Sequence, residues 1–121
     1  MGNWPNERVK DVQLLFYLYA DVLNGGLLQW FGNPPGAFLE ETIISLKKIS
    51  CEKIAIKLEE VVNEEFGILE NLDFHERDKI AEKVAADWAV RKRIDERFNF
   101  WFEDQLPKFL ENFLEHLGDK K

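Results

Sequence analysis

Apolar residues recur at three- and four-residue intervals along almost the whole chain, the period of helix, and β-branched alternation is absent. The pattern predicts an all-α fold, a compact single-domain bundle of five to seven helices. A first helix is expected over about 6–23. There Val9, Val12, Phe16, Tyr19 and Leu23 make one stripe, and Leu14, Leu15, Leu18 and Val22 widen it until most sides are apolar. Such a helix needs neighbours on several faces. Asn24-Gly25-Gly26 is expected to end it, because Asn and Gly tolerate the left-handed backbone that closes helices. A short turn, Leu27 to Phe31, follows, and Asn33-Pro34-Pro35-Gly36 forces a loop.

A third helix is expected over about 37–49, with Phe38, Ile43, Leu46 and Ile49 turned to the core. Ser50 suits the N-cap of a fourth, over about 51–70, which gathers Ile54, Leu58, Val61, Val62, Phe66 and Leu69 on one face. Asp73 to Glu76 has the form of a capping box that opens a fifth helix, with Ile80, Ala81, Val84, Ala85 and Trp88 as its buried stripe. The pattern allows this helix either to run on through Ile94 and Phe98 or to break near Arg91. Pro107 fits the first turn of a last helix carrying Phe109, Leu110, Phe113, Leu114 and Leu117, with Gly118 as its stop. Residues 1–5 and 118–121 are expected to be loose ends. No repeat or linker suggests a second domain.

Composition narrows the function. The chain has 121 residues, 45% hydrophobic and 32% charged, enough for one core under a charged surface. No apolar run is long enough to span a membrane, and the N-terminus lacks the pattern of a secretory leader. Gly2 invites myristoylation, but Asn6 stands where that motif takes Ser or Thr. A single cysteine, Cys51, leaves no internal disulfide, and a cytoplasmic location is expected. The net charge of −7 disfavours nucleic acid or an anionic membrane as the main partner. The acidity is local: Cys51 to His75 carries seven acids and two lysines, whereas Glu76 to Phe100 carries six acids and seven bases.

The run from Asn24 to Gly36 resembles a motif of a family of small bacterial all-α proteins, catalogued as a domain of unknown function, whose named members are DNA mimics. Asn24, Gly25, Gly26, Gln29, Phe31, Asn33 and Gly36 match its Asn-Gly-Gly, Gln, aromatic, Asn and closing Gly. Leu46-Lys47-Lys48-Ile49 fits the end of its next helix, and Ile94-Asp95-Glu96-Arg97-Phe98 fits its Leu-Asp-x-x-Phe element. The likeness runs from about Val9 to Leu117. It implies an acidic helical protein, often dimeric, of which at least one member covers the DNA-binding surface of a transcription factor with carboxylates placed like phosphates. Pro34-Pro35 departs from the small polar residues usual in that loop, and Arg91, Lys92, Arg93 and Arg97 are cations a mimic would not want on its acidic face.

Two constellations carry chemistry. Asn24, Gln29 and Asn33 either converge on a ligand, with donors and acceptors both available, or serve the glycine turn and the orphan backbone groups at helix ends. On the fourth helix, Glu52, Glu59, Asn63 and Glu70 fall in a narrow strip opposite the apolar face, with Glu60 and Glu64 to one side. That strip is either a row of charge for a basic surface or an ordinary solvated face. Arg91, Lys92, Arg93 and Arg97 could hold a phosphate or pair with the acidic helix, although a solvated face is the simpler expectation. Glu65 falls on the apolar side, where a rim carboxylate bending to water is expected. Among Phe98, Phe100, Trp101 and Phe102, most are expected in the core and some at a self-association surface.

Catalytic patterns are missing. His75 and His116 lack metal-ligand spacing, and Ser45, Ser50 and Cys51 lack a nucleophile context, so no metal, cofactor or enzyme activity is implied. The expectation is a non-catalytic acidic protein, possible homodimer included, that engages a basic protein surface such as a DNA-binding transcription factor. The alternatives are an immunity-type inhibitor of a toxin and a small-molecule-binding protein using Asn24, Gln29 and Asn33.

Overall fold

The computed structural model of the chain describes residues 2–67 and 72–118, and they contain helices and no strand. Six α-helices follow in order among these residues: α1 (Glu7–Gly32), α2 (Leu39–Lys48), α3 (Glu52–Phe66), α4 (Phe74–Ala85), α5 (Trp88–Ile94) and α6 (Phe100–Gly118). A 3-10 turn, Pro34–Phe38, joins α1 to α2, and a π-helical turn, Asp95–Asn99, joins α5 to α6. The all-α expectation holds. Leu69 and Glu70 lie outside the described residues.

Helix α1 is the spine, packed against α2, α4, α6 and the π turn. The side chain of Asn6 caps it by accepting from the Val9 amide at 2.9 Å. Its buried stripe is Leu14, Leu15, Leu18 and Val22, together with two aspartates, Asp11 and Asp21. The first stripe read from the sequence is displaced: Val9, Phe16 and Leu23 are 40%, 51% and 43% exposed. Apolar periodicity alone cannot rank two adjacent apolar stripes, and here the polar anchors of the two aspartates choose between them.

The break expected at Asn24-Gly25-Gly26 falls at Gly26 (φ 80°, ψ −176°), and the helix resumes after it. Only glycine adopts this backbone readily. The glycine pair therefore bends one long element and does not end it. Beyond the bend Leu27, Trp30 and Phe31 are fully buried, and Phe31 stacks on Phe66 of α3 at 4.1 Å.

Several boundaries differ from the sequence reading. Helix α2 begins at Leu39, since the prolines start a 3-10 turn first. Ser50 does not cap α3. It has φ 61° and closes α2, with its amide bonded to Lys47 O at 3.1 Å and the Cys51 amide to Leu46 O at 2.9 Å. That pair of bonds is a Schellman closure, with serine where glycine is usual. Helix α3 stops at Phe66 because Gly67 takes φ 98°.

The Asp73–Glu76 capping box forms in full. Its helix ends at Ala85, and Asp87 caps α5 by accepting from the Ala89 and Val90 amides. This break turns the expected stripe outward at its end, leaving Ala85 exposed and Trp88 65% exposed. Pro107 lies inside α6, which begins at Phe100. Phe98 and Phe102 are fully buried, whereas Phe100 is exposed. At the N-terminus Trp4 is held: its indole packs edge-on against Phe38 and donates to Gln13 Oε1 at 2.6 Å.

Candidate functional site: an acidic helix face and the glycine bend

Five of the α3 carboxylates lie among the described residues, and the fold treats them in two ways. Glu65 is drawn inward, its side chain 3% exposed, and meets Arg93 through two bonds of 2.7 Å and Arg97 through one of 3.0 Å. The Arg93 guanidinium holds the Glu65 carboxyl below the usual carboxylate range, against burial that pushes it up. Arg97 also reaches Glu64 at 2.6 Å and Glu60 at 3.3 Å, and Lys57 stands 3.9 Å from Glu60. The expectation of a water-facing rim carboxylate at Glu65 is therefore overturned. Two arginines from α5 and the π turn supply the partner that the position requires. Of the four basic residues in that segment, Arg93 and Arg97 pair with the acidic helix of the same chain. Lys92 lies over the Trp88 ring at 5.4 Å.

Glu52 and Glu59 behave differently. Both are exposed, and among the described residues neither has a cation within ion-pair distance. They stand seven residues apart, about 10 Å along the helix at ~1.5 Å per residue. Glu70, the next position of the strip, lies outside the described residues.

A second acidic row was not anticipated from the sequence. Glu103, Asp104, Glu111 and Glu115 are exposed along α6, interrupted by Lys108, which pairs with Glu111 at 3.2 Å. Asn112 donates to the Ile49 carbonyl at 2.8 Å and ties the middle of α6 to the chain entering α3. The seven- and four-residue spacing of Asp104, Glu111 and Glu115 was visible.

The Asn24–Gly36 motif is knotted around a buried aspartate that the sequence reading missed. Gln29 and Asn33 both donate to Asp21 Oδ1, at 3.2 and 3.4 Å, and Asn24 donates to Gln29 Oε1 at 3.1 Å. The three amides thus engage Asp21 and one another. Gly36 lets the 3-10 turn pass close to the end of α1, since a Cβ there would run into the Phe31 carbonyl. Arg77 of α4, almost fully buried, donates to the Phe31 and Asn33 carbonyls at 3.5 and 3.4 Å. It caps the end of α1 from another helix. Burial pushes its guanidinium pKa down.

At the bend, Gly26 leaves the Leu27 amide without its helical acceptor, and Asn99 Oδ1 of the π turn accepts it at 2.8 Å. The Asn99 amide nitrogen in turn donates to Asp95 at 2.7 Å. A Cβ on Gly26 would stand 2.6 Å from that nitrogen. Asp11, the other buried aspartate of α1, accepts from Ser45 at 2.6 Å and pairs with Lys48 at 3.2 Å, with His116 Nε2 at 3.9 Å. It fastens α1 to α2. Among the described residues no three His, Cys, Asp or Glu side chains gather as a metal site, and no helix is long and apolar enough to cross a membrane.

The family of DMP19-like proteins matches residues 3–117. The chain belongs to the DMP19-like family. That span takes in the acidic helix, the glycine bend and α6 of this DMP19-like protein, and the family is not a known enzyme family. No curated protein and no solved structure matches the chain.

Proposed function

We propose that this DMP19-like protein is a non-catalytic acidic binding protein whose α3 face engages a basic protein surface in place of DNA. One observation carries the reading. Arg93 and Arg97 occupy Glu60, Glu64 and Glu65, while Glu52 and Glu59 stay exposed and unpaired among the described residues of a chain with net charge −7. Glu103, Asp104 and Glu115, exposed on α6, add charge of the same sign to the surface. A DNA-binding transcription factor offers the complementary surface, and the arginines already held within the chain are withdrawn from that contact.

The test is capture of partners from native lysate on the immobilised protein, eluted in salt steps and identified by mass. Duplex DNA should displace the captured partner, since both occupy one basic surface. Glu52→Gln with Glu59→Gln should lower affinity about tenfold, about 1.4 kcal/mol, mainly through a slower association rate. A partner that DNA leaves in place, and that binds the double variant as well as the parent across the salt series, would overturn the proposal.

A further inference from the structure

The two sequence elements that carry the family resemblance, some seventy residues apart, meet at one cleft. Gly25 and Leu28 from the bend of α1 face Arg91, Ile94, Asp95 and Asn99 from α5 and the π turn, around a volume of about 200 Å³. Both walls depart from regular helix: Gly26 has positive φ, and Asp95–Asn99 is π-helical. Single π turns and strained backbone concentrate at functional sites. Here the two distortions brace each other through the Leu27–Asn99 bond.

The charges around the cleft are also held apart. Arg91 and Asp95 are four residues apart, a spacing at which opposite charges on a helix are neighbours. No ion pair forms between them, and among the described residues the Arg91 guanidinium has no acidic partner within ion-pair distance. Asp95 spends one carboxylate oxygen on Asn99 and has the other available. Leu28 and the buried Ile94 add apolar lining to the cleft.

We infer that this cleft binds a small zwitterion of the α-amino acid class, its carboxylate on Arg91 and its ammonium on Asp95. Size supports the class. At about 30 Å³ for a water-sized group, the cleft takes about six or seven non-hydrogen atoms, the size of alanine or serine. Larger amino acids would extend into solvent past the exposed Gly25. The site is separate from the Asn24, Gln29 and Asn33 amides, which are already engaged by Asp21 or by one another, and from the acidic face of α3.

The test is titration of the ¹⁵N-labelled full chain with glycine, L-alanine and L-serine, with acetate and methylammonium as half-ligand controls. The expected result is saturable shifts confined to the amides around Gly25, Leu28, Asp95 and Asn99. Arg91→Gln should weaken L-alanine binding at least tenfold. Arg91 is exposed and makes no ion pair, so that variant is expected to keep the parent melting temperature. Asp95→Asn, which can still accept from Asn99, should weaken it comparably. The inference is overturned if none of the three amino acids gives saturable shifts, if Arg91→Gln binds L-alanine as the parent does, or if acetate alone binds as tightly as L-alanine.

Discussion

Helix α3 presents two acidic flanks built from the same residue type and treated in opposite ways. On one, Glu60, Glu64 and Glu65 are gathered by Arg93 and Arg97, with Glu65 almost wholly removed from water. On the other, Glu52 and Glu59 face solvent with no cation beside them among the described residues. A count of acids along the helix cannot distinguish the flanks. The difference arises where α5 and the π turn cross α3, bringing a basic segment onto one side only. A carboxylate is therefore structural or available according to which neighbour arrives, and the balance of charge in the sequence does not say which.

The comparison can be broken from furthest away. Gly26→Ala places a Cβ 2.6 Å from the Asn99 nitrogen at a backbone angle that non-glycine residues avoid. It should cost about 3 kcal/mol of stability and loosen the π turn that aims Arg97. Urea unfolding measures the first effect. Loss of the Arg97–Glu64 contact in a crystal structure would show the second. An unchanged urea midpoint would mean that the bend is not held as described.

Glu65→Ala comes next. It leaves two arginines facing a largely buried gap and should lower stability by about 2 kcal/mol, between the values for exposed and fully buried pairs. The urea midpoint should drop with its slope unchanged. An effect no larger than that of Glu59→Ala would erase the contrast between the flanks.

The same pair makes stability depend on pH. Because the folded-state pKa of Glu65 is depressed, its contribution is complete above the unfolded value of about 4.3 and is lost as pH falls through the lower folded value. Glu65→Gln should therefore unfold more easily than the parent at neutral pH and converge with it in acid. Thermal melts across the acid range would reveal this, and parallel curves would contradict it.

Two smaller effects sharpen the functional side. Arg97→Gln releases Glu60 and Glu64 and should raise affinity for the captured basic partner about threefold, ~0.7 kcal/mol, most visibly at low salt. A fall in affinity would place Arg97 itself in the contact. Smallest of all, Glu52→Gln with Glu59→Gln should change stability by no more than about 0.5 kcal/mol, as solvated positions do. A larger destabilisation would assign these carboxylates a structural task.

Much of this architecture follows from local chemistry. The helical period, the Asp73–Glu76 capping box and the apolar face of α3 rest on residues within a few positions of one another, so the sequence determined them by itself. Ser50 and Pro107 misled because each has two local roles. Serine caps one helix or, with positive φ, closes the one before it; proline opens a helix or sits inside one that packing sustains.

Tertiary structure alone decided the remainder. Asp21 is invisible as the hub of the Asn24–Gly36 motif until Gln29 and Asn33 return to it past the bend. Arg77 caps a helix from 44 residues away from Asn33. The two acidic flanks of α3 and the cleft between Gly25 and Arg91 both depend on which distant side chains meet. An ion pair or a cleft wall is a relation between positions fixed by packing, and no single segment of the chain contains it.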